Sequence, residues 1–167
     1  MAESFDNIFS IKGKVALVTG GSRGIGEMIA AGFLAQGAKV YIASRKADAC
    51  QATAERLAKD YGGECIALPA DTSTVEGVEG LAAALAERET RLDILVNNAG
   101  ASWGAEVDSF PEAGWDKVMD TNVKGVFFLT QKLLPLLRAA AAGESPARVI
   151  NIGSIDGLKN SRFDAWS

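Results

Sequence analysis

The sequence predicts an α/β domain built on a doubly wound parallel sheet, and three observations carry that prediction. Short apolar runs alternate with amphipathic stretches five times, no hairpin signal separates consecutive runs, and a glycine-rich turn opens the first amphipathic stretch. Parallel neighbours need crossover connections, and right-handed crossovers lay helices over both faces of the sheet.

The elements follow in order. Lys14–Thr19 is a short apolar run ending in glycines, the pattern of a buried parallel strand feeding a turn. From Gly26 to Gln36 the apolar residues Ile29, Ala30, Phe33 and Leu34 recur at helical spacing, and Gly37 supplies the stop. A strand over Lys39–Ala43, a helix over Ala47–Tyr61 closed by Gly62 and Gly63, and a strand over Glu64–Leu68 come next. Ser73 and Glu76 stand as a capping box at the head of a helix over Val75–Arg88, with Val78, Leu81 and Leu85 on one face. A strand over Leu92–Val96 precedes one long helix from about Trp115 to Ala141, expected to bend at Pro135, and Arg148–Ile152 is the last strand. No fixed-period repeat and no linker divides the chain, so residues 1–167 are read as a single domain.

Composition narrows the function. Apolar residues make up 48% of the 167 residues and charged residues 23%, the profile of a soluble globular domain. The net charge is −4 and the basic residues are scattered, which argues against nucleic acid as a partner. No uncharged apolar run approaches the ~18 residues of a membrane span, so no membrane association and a cytoplasmic location are expected. Cys50 and Cys65 form no Cys-x-x-Cys pair and read as buried or idle thiols. The chain contains no histidine, which removes Ser-His-Asp hydrolysis and most zinc chemistry, and no metal site is expected.

The first turn reads Gly20, Gly21, Ser22, Arg23, Gly24, Ile25, Gly26, that is, Gly-x-x-x-Gly-x-Gly between a strand and a helix. Such a turn lets the backbone approach a pyrophosphate and points the free N–H groups of a helix N-terminus at the anion. The plain alternative is an ordinary βα loop, against which the strand-turn-helix setting speaks. At the end of the second strand, where an NAD site places an acid for the ribose 2′-hydroxyl, this chain has Ser44 and Arg45. The Arg45 guanidinium can fork onto a 2′-phosphate with help from Arg23, so NADP is the expected cofactor.

Three further signatures follow: Ala70-Asp71 after the third strand, Asn97-Asn98-Ala99-Gly100 after the fourth, and Ile150-Asn151-Ile152-Gly153-Ser154 at the fifth. Together with the glycine turn they resemble the short-chain dehydrogenase/reductase family, from about Phe9 onward. The resemblance implies a Rossmann-like fold in which Asp71 bonds the adenine edge, Asn97 to Gly100 line the cofactor, and Asn122 and Ser154 belong to the catalytic set. Each has a plain alternative: Asp71 as the start of the loop before a capped helix, Asn97 to Gly100 as turn chemistry, Asn122 as a solvated helix residue and Ser154 as a loop serine. Gly104-Ala105, Gly114 to Met119, and Ser154-Ile155-Asp156-Gly157 are most similar to the ketoacyl-reductase branch, which reduces 3-oxoacyl thioesters and includes the rhamnolipid-pathway type; sugar-alcohol and gluconate dehydrogenases lie close by.

The resemblance further implies a small carbonyl substrate, with hydride from NADPH, Ser154 on the carbonyl oxygen, Asn122 holding a water, and a Tyr-x-x-x-Lys pair giving the proton. That tyrosine is expected about thirteen residues after Ser154, where position 167 is Ser; Lys159 lacks a tyrosine partner, and Tyr41 and Tyr61 lie in the wrong elements to serve. The expectation is therefore of a chain short of the Tyr-Lys helix and of the family's C-terminal strands, leaving the edge of the last strand open. Family members pair as homo-oligomers through the helix at Trp115–Ala141 and the one after it. The alternative reading is a non-catalytic NADP-binding module, or half of a split enzyme completed by another chain.

Overall fold

A computed structural model describes residues 9–142 and 145–155; Asp156, Gly157 and Lys159 lie outside them. The elements run β1 (Val15–Thr19), α1 (Gly24–Ala35), β2 (Lys39–Ala43), α2 (Ala47–Tyr61), β3 (Cys65–Ala67), α3 (Val75–Ala86), β4 (Ile94–Asn97), α4 (Glu112–Met119), α5 (Gly125–Ala141) and β5 (Arg148–Asn151). All five strands are parallel, in the order β3-β2-β1-β4-β5.

The strand period of two divides the core into two layers. Val15 and Leu17 of β1, Tyr41 and Ala43 of β2 and Leu95 of β4 face one cluster, which Leu81 and Leu85 of α3 and Leu129 and Leu133 of α5 complete. Ala16, Val18, Val40, Ile42, Ile94 and Val96 face the other, filled by Ala30 and Leu34 of α1 and by Cys50, Ala54 and Leu57 of α2. This is the doubly wound plan expected from the alternation. No described helix is long and apolar enough to cross a membrane.

The boundaries differ from expectation in informative places. α3 is capped by Thr74, whose Oγ accepts from the Gly77 N–H at 3.1 Å, and not by Ser73. The Ser73 hydroxyl is spent instead on the Asp71 carboxylate at 2.7 Å. The long helix starts at Glu112 and is not continuous: a π-helical turn over Asp120–Lys124 separates α4 from α5. The break in α-helical hydrogen bonding thus falls at this turn, ahead of Pro135, which lies inside α5. A π turn carries an extra residue and frequently marks a functional site.

The amino-terminal edge of the sheet is tied by charge. Asp93, just before β4, accepts from the Val15 N–H at 2.9 Å and pairs with Lys14 at 3.2 Å and Arg91 at 3.4 Å. Beside it, Lys39 bridges Glu89 and Glu64, both at 3.0 Å, and the hydrogen bonds to these two carboxylates raise its pKa. The Tyr41 hydroxyl donates to Glu89 at 2.7 Å; burial first, and then that carboxylate, push its pKa up to about 12.

Candidate functional site: a crevice at the ends of β1 and β4

The strand order reverses between β1 and β4, so their following loops diverge and open a crevice at the carboxyl edge of the sheet. The glycine turn borders it on one side. Gly20 and Gly24 have φ of 66° and 57°, conformations costly for other residues. A Cβ on the buried Gly26 would land on the Asn98 amide and the Gly20 carbonyl oxygen, so the turn closes tightly only because position 26 is bare. Arg23 caps α1 in extended conformation without a side-chain cap bond, which leaves the first-turn N–H groups for an anion. Ser22 is fixed from α2 by the Thr53 hydroxyl, which donates to its carbonyl at 3.0 Å. Ile25 is 62% exposed at the crevice mouth.

The opposite side is the loop after β4, and Thr19 ties the two together. This residue, which sequence reasoning passed over, is buried, and its hydroxyl accepts from the Asn98 and Ala99 N–H groups, both at 3.0 Å, while donating to the Val96 carbonyl at 3.3 Å. The Asn98 amide donates to the Thr19 carbonyl at 2.9 Å, so its side chain holds the glycine turn in shape. Asn97 is buried and spent on Thr130 at 3.2 Å and Asn151 at 2.9 Å, a tie between β4, α5 and β5. Threonine after an apolar run carries no signal of this in the sequence.

At the end of β2 the Ser44 hydroxyl is buried and has no hydrogen-bond partner among the described residues, and the Ser44 carbonyl accepts from the Ala70 N–H at 3.0 Å, bringing the strand end beside Asp71. Arg45 and Arg23 are exposed and enter no salt bridge among the described residues. The Asp71 Oδ1 accepts from the Ser73 N–H at 3.0 Å as well as from its hydroxyl, which orients the carboxylate. Asp71 is therefore both the loop residue of the plain alternative and a fixed acceptor.

Asn122 sits in the π turn, and its side chain clamps both backbone groups of Ala101: Oδ1 accepts from the N–H and Nδ2 donates to the carbonyl, each at 2.8 Å. This excludes the solvated-helix alternative. Gly100 lies between the Asn98 turn and this clamp. Ser154 lies three residues beyond the end of β5, on the same edge of the sheet, and is exposed. Trp103, also passed over in the sequence, stacks over the bare face of Gly114 with the Lys117 ammonium 5.2 Å from its ring centre, pinning the loop to α4. Tyr41 and Tyr61 both stand away from the crevice, Tyr41 bonded to Glu89 and Tyr61 ending α2.

Comparison with known proteins agrees with this geometry. The family model described as short chain dehydrogenase matches residues 14–165. The rhamnolipids biosynthesis 3-oxoacyl-[acyl-carrier-protein] reductase of Pseudomonas aeruginosa is 59% identical over 159 residues, 95% of this chain and 61% of that protein. The solved RhlG/NADP active-site complex from Pseudomonas aeruginosa superposes with a TM-score of 0.88 at 57% identity, over 93% of this chain and 60% of that one. L-sorbose reductase from Gluconobacter frateurii, complexed with NADPH and L-sorbose, gives 0.87 at 29% identity, over 93% and 57%. This chain thus spans about three fifths of the relatives it matches. Its strand order, glycine turn and matched residues place it in the short-chain dehydrogenase family.

Proposed function

We propose that the chain binds NADP(H) in the crevice between β1 and β4 and serves in the reduction of a ketone, with a 3-oxoacyl thioester as the substrate class. The observation that carries the cofactor reading is that, among the described residues, the buried Ser44 hydroxyl has no partner and no carboxylate neutralises the neighbouring Arg45. A 2′-phosphate would satisfy both at once: it accepts from the hydroxyl and forks with the guanidinium. The bare Gly20, Gly24 and Gly26 and the uncapped start of α1 hold the pyrophosphate, Ile25 covers it, and Asp71, oriented by Ser73, accepts from the adenine edge. Asn98 and Ala99, anchored on Thr19, and Gly100 line the ribose and ring beyond.

When bound, the nicotinamide supplies the hydride. Ser154 donates a hydrogen bond to the substrate oxygen as charge grows there, and Asn122 fixes the Ala101 backbone and so the shape of the loop that faces the substrate. The chain's two tyrosines are held elsewhere, Tyr41 on Glu89 and Tyr61 at the end of α2, so neither gives the proton. That observation also favours a second reading, a non-catalytic NADP-binding module or half of a split enzyme. The 3-oxoacyl class rests on the 59% identity to a 3-oxoacyl reductase. Trp115, Met119, Val123 and Phe127, exposed at four-residue intervals along α4, the π turn and α5, form an apolar stripe suited to homo-oligomeric pairing.

The test is fluorescence titration of the purified chain with NADPH and NADH, alongside Arg45→Ala. NADPH binds more tightly, and the variant loses roughly 10- to 100-fold in NADPH affinity, the worth of a charge-assisted bond, with NADH unchanged. Equal affinity for the two nucleotides, or an equal loss for both, refutes the 2′-phosphate assignment.

A further inference from the structure

Two consecutive backbone carbonyls, those of Asp71 and Thr72, are each seated against a glycine of a different helix. A Cβ on Gly77 of α3 would land on the Asp71 oxygen, and one on Gly125, the first residue of α5, would land on the Thr72 oxygen. Only a bare Cα permits such approaches, and a Cα–H facing a carbonyl oxygen is itself weakly attractive. The two helices share the Leu81, Leu85, Leu129 and Leu133 cluster, and Lys132 pairs with Glu79 at 2.6 Å across them. The loop at 71–72 is thereby wedged into a packed helix pair.

Gly125 has a second contact. Its N–H closes the π turn on the Asp120 carbonyl, three residues after Asn122, whose side chain holds both backbone groups of Ala101. A small crevice lined by Thr19, Thr72, Asn97, Ala99, Thr121 and Gly125 sets this contact beside the loop after β4. One glycine thus touches the loop that carries Asp71 and the turn that carries Asn122. We propose that Gly125 is a positioning residue that couples the adenine end of the dinucleotide site to its reaction end through the Thr72 carbonyl. This rests on the reading of Asp71 as the adenine acceptor. A residue with a side chain at 125 would displace a carbonyl that has no flexible end to yield, and both ends of the site would shift together.

Amide hydrogen exchange on the chain tests the coupling. In Gly125→Ala the amides of Ser73, bonded to Asp71, and of Ala101, bonded to Asn122, both exchange faster, on the order of ten-fold, while Leu17 and Val96 in the central strands keep their protection. Asn122→Ala approaches from the other end without steric insertion: it frees Ala101 directly and also speeds exchange at Ser73. Acceleration at only one of the two amides in Gly125→Ala overturns the proposal; if that variant does not fold, an unchanged Ser73 in Asn122→Ala does so. Adenosine 2′,5′-bisphosphate, which fills only the adenine end, slows exchange at Ala101 in the unmodified chain, and Gly125→Ala loses that response while Ser73 still responds. An Ala101 that ignores the bound bisphosphate in the unmodified chain refutes the coupling. A bisphosphate that leaves Ser73 itself unchanged refutes the adenine assignment instead, and the ligand-free comparison of the two variants still decides the coupling.

Discussion

Asp93 is where a single carboxylate holds most of the sheet's amino-terminal edge, and replacing it measures how much. Its side chain is 4% exposed; Oδ2 accepts from the Val15 N–H at 2.9 Å, and Lys14 and Arg91 pair with it from the rim. Its own backbone N–H donates to Val15, and its carbonyl accepts from Arg148, so β1, β4 and β5 meet at this residue. Asp93→Ala leaves the buried Val15 N–H without an acceptor, a cost of about 2 kcal/mol. The lost ion pairs add roughly 1 kcal/mol, a small figure because Lys14 and Arg91 are 23% and 51% exposed and turn back to water. The expected destabilisation is about 3 kcal/mol. Asp93→Asn keeps an acceptor for Val15 and forfeits only the charge, for about 1 kcal/mol, and Lys14→Met costs less than that. Urea unfolding followed by circular dichroism gives all three values, with unchanged slopes showing a common unfolded state. An Asp93→Ala variant within about 0.5 kcal/mol of the parent, or an Asn variant as costly as Ala, refutes the reasoning by showing that the Val15 bond contributes nothing.

Two other outcomes follow from the geometry. Burial, and then the neighbouring Cys50, push the Cys65 thiol from 9.0 up to about 11, so the folded chain keeps that proton where the unfolded chain has lost it. Its contribution is full below pH 9 and declines as pH rises toward 11, by about 2 kcal/mol after allowance for its partial exposure. Unfolding curves taken from pH 8 to 10 fall more steeply with pH in the parent than in Cys65→Ala, since Tyr41, raised from 10.0 to about 12, adds the same slope near pH 10 to both; equal slopes contradict the assignment. Gly114→Ala brings a methyl group to 2.7–2.9 Å from the Trp103 ring, and lifting the ring costs roughly 1–3 kcal/mol. Thermal unfolding of Gly114→Ala, Trp103→Ala and the double variant decides this: the glycine substitution is nearly silent once Trp103 is gone, and additive losses mean that the ring was never in the way.

The extents of β2 and α2 were legible to the residue, because the apolar run at Lys39–Ala43 and the stretch from Ala47 to the glycines at 62 and 63 are bounded by local chemistry. The glycine turn was legible for the same reason: a backbone bend that needs positive φ writes glycine at set positions. The α3 cap was misread by one residue because the Ser73 hydroxyl had a competing partner two residues back, and local patterning does not rank competing acceptors. The π turn was invisible, since Asp120 to Lys124 satisfy helical spacing as well as any neighbouring segment.

Taken alone, the sequence determined the parallel α/β plan, the position of the glycine turn and the cationic end of β2, all of which depend on residues near one another in the chain. Only the tertiary structure decided what the polar residues do. Thr19 and Asn98 meet across 79 residues because β1 and β4 pair, Asn122 reaches Ala101 across 21, and Gly125 is bare because the Thr72 carbonyl arrives from another loop. Hydrophobic periodicity is summed over many residues and survives local ambiguity, whereas a hydrogen bond is made by one atom at one distance, and its partner exists only after the strands have taken their order.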